Sequence, residues 1–226
     1  MARRYVSNKN ESVRMFKNDF LEACSHIHPL TIPSVWVPVT IGLMYLSVYV
    51  RDLNTLPYVG LFFLGMFLWT FAEYTMHRYI FHYEPKTALG KRIHFLMHGV
   101  HHDYPNDATR LVMPLGFSVP LAVGFYFLFC AIFGDQHGPA VLSGFIIGYV
   151  CYDMVHYATH HLQMRGPLGA WLKKHHLKHH YMDDGYGYGV STPMWDVVFG
   201  TMRLQGTSEE RHQIGEDVEI QKVQGN

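Results

Sequence analysis

The sequence predicts an all-α integral membrane protein, with four transmembrane helices in two hairpins and a histidine-rich helical cap on the cytoplasmic side. Three observations predict it. Four long stretches carry no charged residue, two very short charged connections join them in pairs, and almost all Lys and Arg fall on one side of the resulting topology.

The composition agrees. Lys+Arg and Asp+Glu both total 18 in 226 residues, so the net charge is zero, and a general nucleic-acid binder, which needs a basic excess, is excluded. Charged residues make up only 16% of the chain and apolar residues 49%, which excludes disorder over most of the length. Three cysteines (Cys24, Cys130 and Cys151) cannot build a disulfide scaffold or a Cys-rich zinc module.

The first apolar run, Pro29 to Val50, is diluted at its start by Pro29, Thr31 and Pro33. The second, Leu53 to Ala72, and the third, Leu111 to Gly134, easily reach the roughly 20 apolar residues a helix needs to cross the hydrocarbon core. The fourth, Gln136 to Tyr152, is diluted by Gln136 and His137. Buried helices of a soluble bundle would be shorter and amphipathic. Only Arg51 and Asp52 separate the first two runs, and only Asp135 the last two, so each pair reads as a tight hairpin. Two hairpins return the chain to its starting side, which places both termini and residues 73–110 on one face. Of the 18 Lys and Arg, only Arg51 lies in a hairpin tip, and the positive-inside rule then puts the shared face in the cytoplasm.

Residues 1–28 read as a cytoplasmic N-terminal segment with no cleavable signal, and an amphipathic helix over Val13–Leu21 is expected to lie on the membrane surface. Residues 29–206 form the transmembrane domain with its cap, and 207–226 read as a flexible polar tail.

The histidines carry the chemistry. Thirteen of 17 fall in four groups: His77 and His82; His94, His98, His101 and His102; His156, His160 and His161; His175, His176, His179 and His180. All four groups lie on the predicted cytoplasmic face. His98, His101 and His102, like His176, His179 and His180, follow i, i+3, i+4 spacing and share a helix face, and His156 and His160 are i, i+4. His77 and His82 are i, i+5 and diverge on an ideal helix, so they share a site only if the helix bends or ends between them. Imidazole suits Zn, Cu, Fe and Ni. Ten or more clustered imidazoles are too many for one ion but suit two ions at about five nitrogens each, so the cap is expected to hold a dimetal site. Lone histidines (His26, His28, His137, His212) read as interfacial or capping residues. Glu73, four residues before His77, and Asp153, three before His156, are expected to accept the second ring N–H of those ligands.

The order HxxxxH, HxxHH, HxxxH, HxxHH around two hairpins resembles the membrane-bound fatty acid hydroxylase superfamily, and within it the fatty acid 2-hydroxylases, which act on sphingolipid acyl chains. The resemblance spans roughly residues 15–205 and rests on WTFAEYTMHRYIFH (69–82), HFLMHGVHHDYPNDATRLVMP (94–114), GYVCYDMVHYATHH (148–161), LKKHHLKHH (172–180) and GYGVSTPMWDVVFGT (187–201). The His boxes alone are shared with sterol and carotenoid hydroxylases and desaturases. RLVMP, GYVCYDMVHY and GVSTPMWD point to the 2-hydroxylase branch. The resemblance implies ten ligands: His77, His82, His98, His101, His102, His156, His160, His176, His179 and His180. It leaves His94, His161 and His175 as neighbours of the ligands, and places a Tyr152–Asp153 pair beside the third box, with Tyr149 close by. Tyr149, Tyr152, Asp153 and Tyr188, the last within Gly185–Gly189, are the candidates for orienting the lipid.

The implied cofactor is a pair of iron ions, with zinc a possible occupant of purified protein, since zinc outranks ferrous iron in intrinsic affinity. Many relatives carry a haem domain of the cytochrome b5 type. About 30 residues precede the first apolar run here. Electrons are therefore expected from a separate protein such as cytochrome b5 or ferredoxin. The expected partners are a membrane lipid or fatty acyl substrate and the bilayer, with no nucleic acid. The expected location is the endoplasmic reticulum of a eukaryote or the inner membrane of a bacterium, with the His clusters and both termini cytoplasmic. Two other classes stay open on the residues alone: a zinc-dependent membrane lipid hydrolase, and a non-catalytic metal-binding membrane protein.

Overall fold

The computed structural model describes residues 5–202, and the 207–226 tail lies outside them. Among the described residues every regular element is helical: α1 (Asp19–Cys24), α2 (Thr31–Tyr45), α3 (Thr55–Met76), α4 (Ala88–His94), α5 (Val100–Asp103), α6 (Leu115–His161), α7 (Pro167–Tyr181) and α8 (Met194–Val198). Short π-helical turns continue α2 over Leu46–Val50 and α3 over His77–Phe81, and join α4 to α5 over Phe95–Gly99. Three helices are long and apolar enough to cross a membrane: Thr31–Val50, Thr55–Phe81 and Leu115–His161.

The third of these is folded back on itself. Gly134 has φ 79° and ψ 162°, a non-helical conformation with the positive φ that favours glycine. Twenty residues of straight helix span about 30 Å. The rings of Phe125 and Phe145 nevertheless lie 4.4 Å apart, and those of Phe129 and Phe145 5.3 Å apart. Segments 115–133 and 135–161 are therefore antiparallel neighbours, as the short connection at Asp135 predicts. The two tips meet. Gln136 Nε2 donates to the Arg51 carbonyl at 3.0 Å, and Arg51 Nη2 to the Tyr126 hydroxyl at 3.1 Å. His137 sits at this end, next to Gln136, while the histidine groups gather at the other.

Helix α3 packs along 135–161 through small residues. A Cβ on Gly65 would fall 2.0 Å from the Val141 carbonyl oxygen, and one on Gly144 1.8 Å from that of Phe62. Hydrophobicity does not drive helices together in lipid, so such close backbone approach supplies the van der Waals contact that does. Above this contact Trp69 packs against Phe145 (5.1 Å), Tyr149 (5.3 Å) and Tyr152 (5.7 Å), and Trp36 of α2 against Tyr149 (6.1 Å). The outward faces stay apolar: Ile41, Phe63, Phe67, Val123, Phe127 and Ile132 are all exposed. Apolar surface on this scale is foreign to a soluble monomer.

The N-terminal segment departs from expectation. No helix covers 13–21, and α1 starts only at Asp19, with the Asn18 side chain accepting from the Leu21 amide at 3.1 Å. Residues before it run without regular structure across the cap. The Val6 and Ser7 amides donate to the Asp103 carbonyl, Asn106 Nδ2 donates to the Asn8 carbonyl, and the Ile27 amide donates to the Thr109 carbonyl. Arg110, its side chain 2% exposed, donates to the Val13 carbonyl and to the Glu22 carboxylate. Satisfying these polar groups outweighs the weak amphipathic pattern that suggested a surface helix.

Candidate metal centre

The ten predicted ligand histidines converge in two groups of five. His77, His82, His98, His102 and His179 form the first, and His101, His156, His160, His176 and His180 the second. Within each group the ring nitrogens lie within 4.8 Å of one another. His94, His161 and His175 belong to neither.

The π-turn explains the first pair. The His82 amide donates to the His77 carbonyl at 3.2 Å, an i+5 bond, so residues five apart stand one turn apart on the same face. Their Nε2 atoms are 3.3 Å apart. The helix widens and then ends between them: Phe81 is its last residue and His82 its C-cap.

The two HxxHH boxes are divided crosswise. His98 and His102 serve the first group while His101, between them in sequence, serves the second. His176 and His180 serve the second group while His179 serves the first. Each group thus takes two rings from a membrane-helix end, two from one HxxHH box and one from the other. The sequence expectation of a shared face holds for each box, but that face straddles both groups. The His102 and His180 rings, one from each group, stack at 4.3 Å.

Hydrogen bonds between rings do not by themselves explain the convergence: an imidazole Nε2 is one donor or one acceptor, yet that of His98 lies within 3.1 Å of both His77 and His102, and that of His176 within 3.1 Å of both His160 and His180. His77 Nδ1 donates to the Tyr188 carbonyl at 2.6 Å and His179 Nδ1 to the Tyr186 carbonyl at 2.7 Å. In the neutral rings this leaves each Nε2 a bare lone pair. The His77 Nε2 lone pair nevertheless points at Nε2 of His98, 3.1 Å away. In the second group Nε2 separations are 2.9 Å for His101–His156, 2.9 Å for His160–His176 and 3.1 Å for His176–His180. At a metal–nitrogen distance of about 2.1 Å, ligands at right angles lie about 3.0 Å apart, and tetrahedral ones about 3.4 Å. The separations are those of imidazole nitrogens placed to share an ion, so each group of five could take one metal. The donor set suits iron or another imidazole-binding transition metal. Burial first, and neighbouring imidazoles second, hold His82 and His98 below their ordinary values. His101, His176, His179 and His180 are held down in the same way. They are neutral near pH 7, the form that binds metal.

Glu73 does not accept the N–H of His77, as its spacing suggested. It is buried and accepts from the amides of Val190 (2.7 Å) and Ser191 (2.8 Å) and from the Ser191 hydroxyl. From the other side of the same loop Asp196, fully buried, accepts from the amides of Tyr188 (2.9 Å) and Gly189 (2.8 Å) and from the Thr201 hydroxyl (2.8 Å). Two carboxylates therefore grip the loop whose carbonyls orient His77 and His179. Burial alone would raise Asp196, but His175, Thr201 and these amides hold it below the usual carboxylate range. Asp196 was missed as a site residue, although an acid inside the apolar MWDVVF stretch is the signal that marks it. Tyr188 has a role the sequence did not suggest: its ring packs 5.7 Å from that of His77 and its carbonyl holds His77.

Asp153 also departs from its expected role. Its carboxylate accepts from the Met113 amide at 3.4 Å, and His156 Nδ1 makes no hydrogen bond to it. Asp153 instead faces a cavity of about 240 Å³ with Tyr152, Arg110, His98, His101 and His156, between walls that include Met76, Phe81, Leu96 and Val112. The cavity touches ligands of both groups. Met113 and Leu121 also line a narrow apolar slot running among α2, α3 and α6, which Tyr149, Ser118, Trp36 and Trp69 share. The indole N–H groups of Trp36 and Trp69 are buried there without a partner in the protein. His161 stacks on Tyr157 at 4.7 Å, and His175 on Trp171 at 5.1 Å while lying 3.5 Å from Asp196.

Known proteins share this plan. The family model for fatty acid hydroxylases matches residues 62–201. The chain is 38% identical over 193 residues to a dihydroceramide fatty acyl 2-hydroxylase of Arabidopsis thaliana, covering 85% of this chain and 81% of that one. It is 39% identical over 193 residues to the ceramide very long chain fatty acid hydroxylase of Saccharomyces cerevisiae, covering 84% of this chain and 49% of that one, and 37% identical over 216 residues to the fatty acid 2-hydroxylase of Mus musculus, covering 84% and 56%. The solved structure of full-length scs7p, in which only the hydroxylase domain is visible, superposes with a TM-score of 0.78 at 39% identity, over 83% of this chain and 71% of that one. With its four histidine boxes, its two five-nitrogen groups and these matches, the chain belongs to the fatty acid hydroxylase family.

Proposed function

We propose that this protein is a membrane fatty acid 2-hydroxylase, which uses O2 to place a hydroxyl on C2 of a long acyl chain, free or within a ceramide. The observation that carries the reading is the apolar cavity ending on His98, His101 and His156, ligands of both groups. A hydrolase acting through metal-bound hydroxide would need an ester or amide bond at the metals, but no long apolar channel to an unactivated carbon. The hydroxylase activities for which the relatives are named favour the hydroxylase.

The ten histidines would hold two iron ions, which would supply O2 activation and C–H oxidation. The overall change balances as one C–H bond, O2, two electrons and two protons giving C–OH and water. The chain's own residues position the substrate. Apolar walls from Met76, Leu96, Val112 and Phe117 take the acyl chain and exclude bulk water. Tyr152 and Asp153, beside His156, face the atoms next to C2. Tyr149 and Ser118, with the unpartnered indoles of Trp36 and Trp69, offer hydrogen bonds to a carboxyl, amide or hydroxyl that enters the slot. Positioning of this kind selects one carbon among many equivalent ones.

Segments 31–50, 55–81, 115–133 and 135–161 form four membrane crossings, with the histidine end and both termini in the cytoplasm. The support is the meeting of both hairpin tips at Arg51 and the charge bias toward the other end. The membrane is the endoplasmic reticulum in a eukaryote or the inner membrane in a bacterium. Electrons come from a separate donor such as cytochrome b5 or ferredoxin. Expression in cells that lack 2-hydroxy acyl chains, followed by lipid mass spectrometry under ¹⁸O2, tests the reading. Labelled 2-hydroxy acyl chains are expected with the wild type and none with His176→Ala. No product from a well-expressed, iron-loaded wild type would overturn it.

A further inference from the structure

The two histidine groups differ in exposure. All five rings of the second are buried, whereas His82 and His102 of the first are partly exposed. They face a second cavity of about 290 Å³, which meets the apolar one only at Phe81 and His98 and whose other polar walls are His94, Asp103 and Asp184 together with His82, His102 and His180. None of the first three has a part in the hydroxylation described above.

We propose that this vestibule is the binding and entry site for the divalent metal ions, so that the first group fills and exchanges before the second. The proposal rests on the dimetal reading. A hydrated dication enters a protein cheaply only where oxygen and nitrogen ligands replace its water shell. Asp103, Asp184 and His94 supply such ligands at the mouth, and His82 and His102 the first permanent ones. The apolar cavity offers a poorer path: methionine, leucine and phenylalanine side chains make up most of its walls, and although Asp153 and Tyr152 stand beside His156, the Arg110 guanidinium on the same wall repels a dication. An ion bound for the second group therefore passes the first. His180, a second-group ligand that also lines the vestibule and stacks on His102 at 4.3 Å, is the hand-over point.

The test uses the full chain in detergent, stripped of metal and reloaded with Co²⁺ while bound metal and the Co²⁺ absorption band are followed. Two ions per chain are expected in two phases. His102→Ala should remove the fast phase, and His160→Ala the slow one. The double variant His94→Ala/Asp184→Asn should slow the fast phase about tenfold, the low end of what local charge contributes to association rates, and still reach two ions, which shows that it is folded. Chelator added to the loaded wild type should remove one ion per chain quickly and the other slowly. Loading or removal of both ions in a single phase, a fast phase that survives His102→Ala, or an unchanged fast rate in the folded double variant would overturn the entry route while leaving the dimetal site standing. A wild-type stoichiometry below two would overturn both.

Discussion

Glu73 and Asp196 hold opposite sides of one loop: the first binds the amides of Val190 and Ser191, the second those of Tyr188 and Gly189. The Tyr188 and Tyr186 carbonyls then fix the ring nitrogens of His77 and His179. Replacing Glu73 by Ala or Asp196 by Asn is expected to weaken the first metal site about 10–100-fold, the usual loss when a group behind a ligand is removed, and to spare the second. Metal titration of each variant checks this. Equal weakening of both sites would contradict the loop mechanism.

The crosswise division of the HxxHH boxes separates single-ligand variants by site rather than by box. His101→Ala should impair the same ion as His160→Ala, although His101 lies between His98 and His102 in sequence. His179→Ala should resemble His82→Ala. Spectra of the Co²⁺-loaded variants distinguish the two patterns, and grouping by box would refute the division.

Met113 and Leu121 line both the cavity and the slot beyond it. Leu121→Trp is expected to block the junction and shift the product distribution toward shorter acyl chains, with metal content unchanged. Lipid profiling reads the chain lengths, and an unaltered distribution would place the acyl chain elsewhere.

Gly65 and Gly144 meet backbone across the contact between α3 and 135–161. Gly144→Leu has no flexible neighbour to displace and should destabilise the fold by about 1–3 kcal/mol, the usual range for overpacking. Thermal unfolding in detergent should show a lower midpoint, while Gly116→Leu, where a Cβ meets nothing within 4 Å, should not.

Glu22 ties the N-terminal strap to the cap. Burial would raise its carboxyl, but the Phe16 and Met15 amides and Arg110 outweigh burial and bring it down from 4.5 to about 2. A depressed carboxylate stabilises the folded state fully above its unfolded value and loses that contribution as pH falls. The strap should therefore hold above about 4.5 and loosen progressively toward pH 2. Glu22→Gln should produce the loosened strap at neutral pH, seen as faster amide hydrogen exchange over residues 13–27. Unchanged exchange would show that Arg110 holds the strap without it.

Much of the fold is legible in the sequence because bilayer crossing is a local property: length, absence of charge and short connections are enough to mark the helices and pair them at Arg51–Asp52 and Asp135. The family resemblance carried by the His boxes likewise picks out the ten rings that meet, which spacing alone could not separate from His94. The strap over residues 5–18 is not legible, because extended chain held by Asp103, Asn106 and Arg110 leaves no periodic trace. The functions of Glu73 and Asp153 are also hidden: neighbours in sequence suggested His77 and His156, but their partners are Val190, Ser191 and Met113, far along the chain.

By itself, then, the sequence determined the helices, their pairing and the supply of imidazoles, since each follows from composition and period within one segment. Only the tertiary structure decided how those imidazoles are shared between two groups, why His77 and His82 agree, and which cavity reaches them. Periodicity sets the face on which a ring stands, but the group it joins depends on where four separate segments of the chain come to rest.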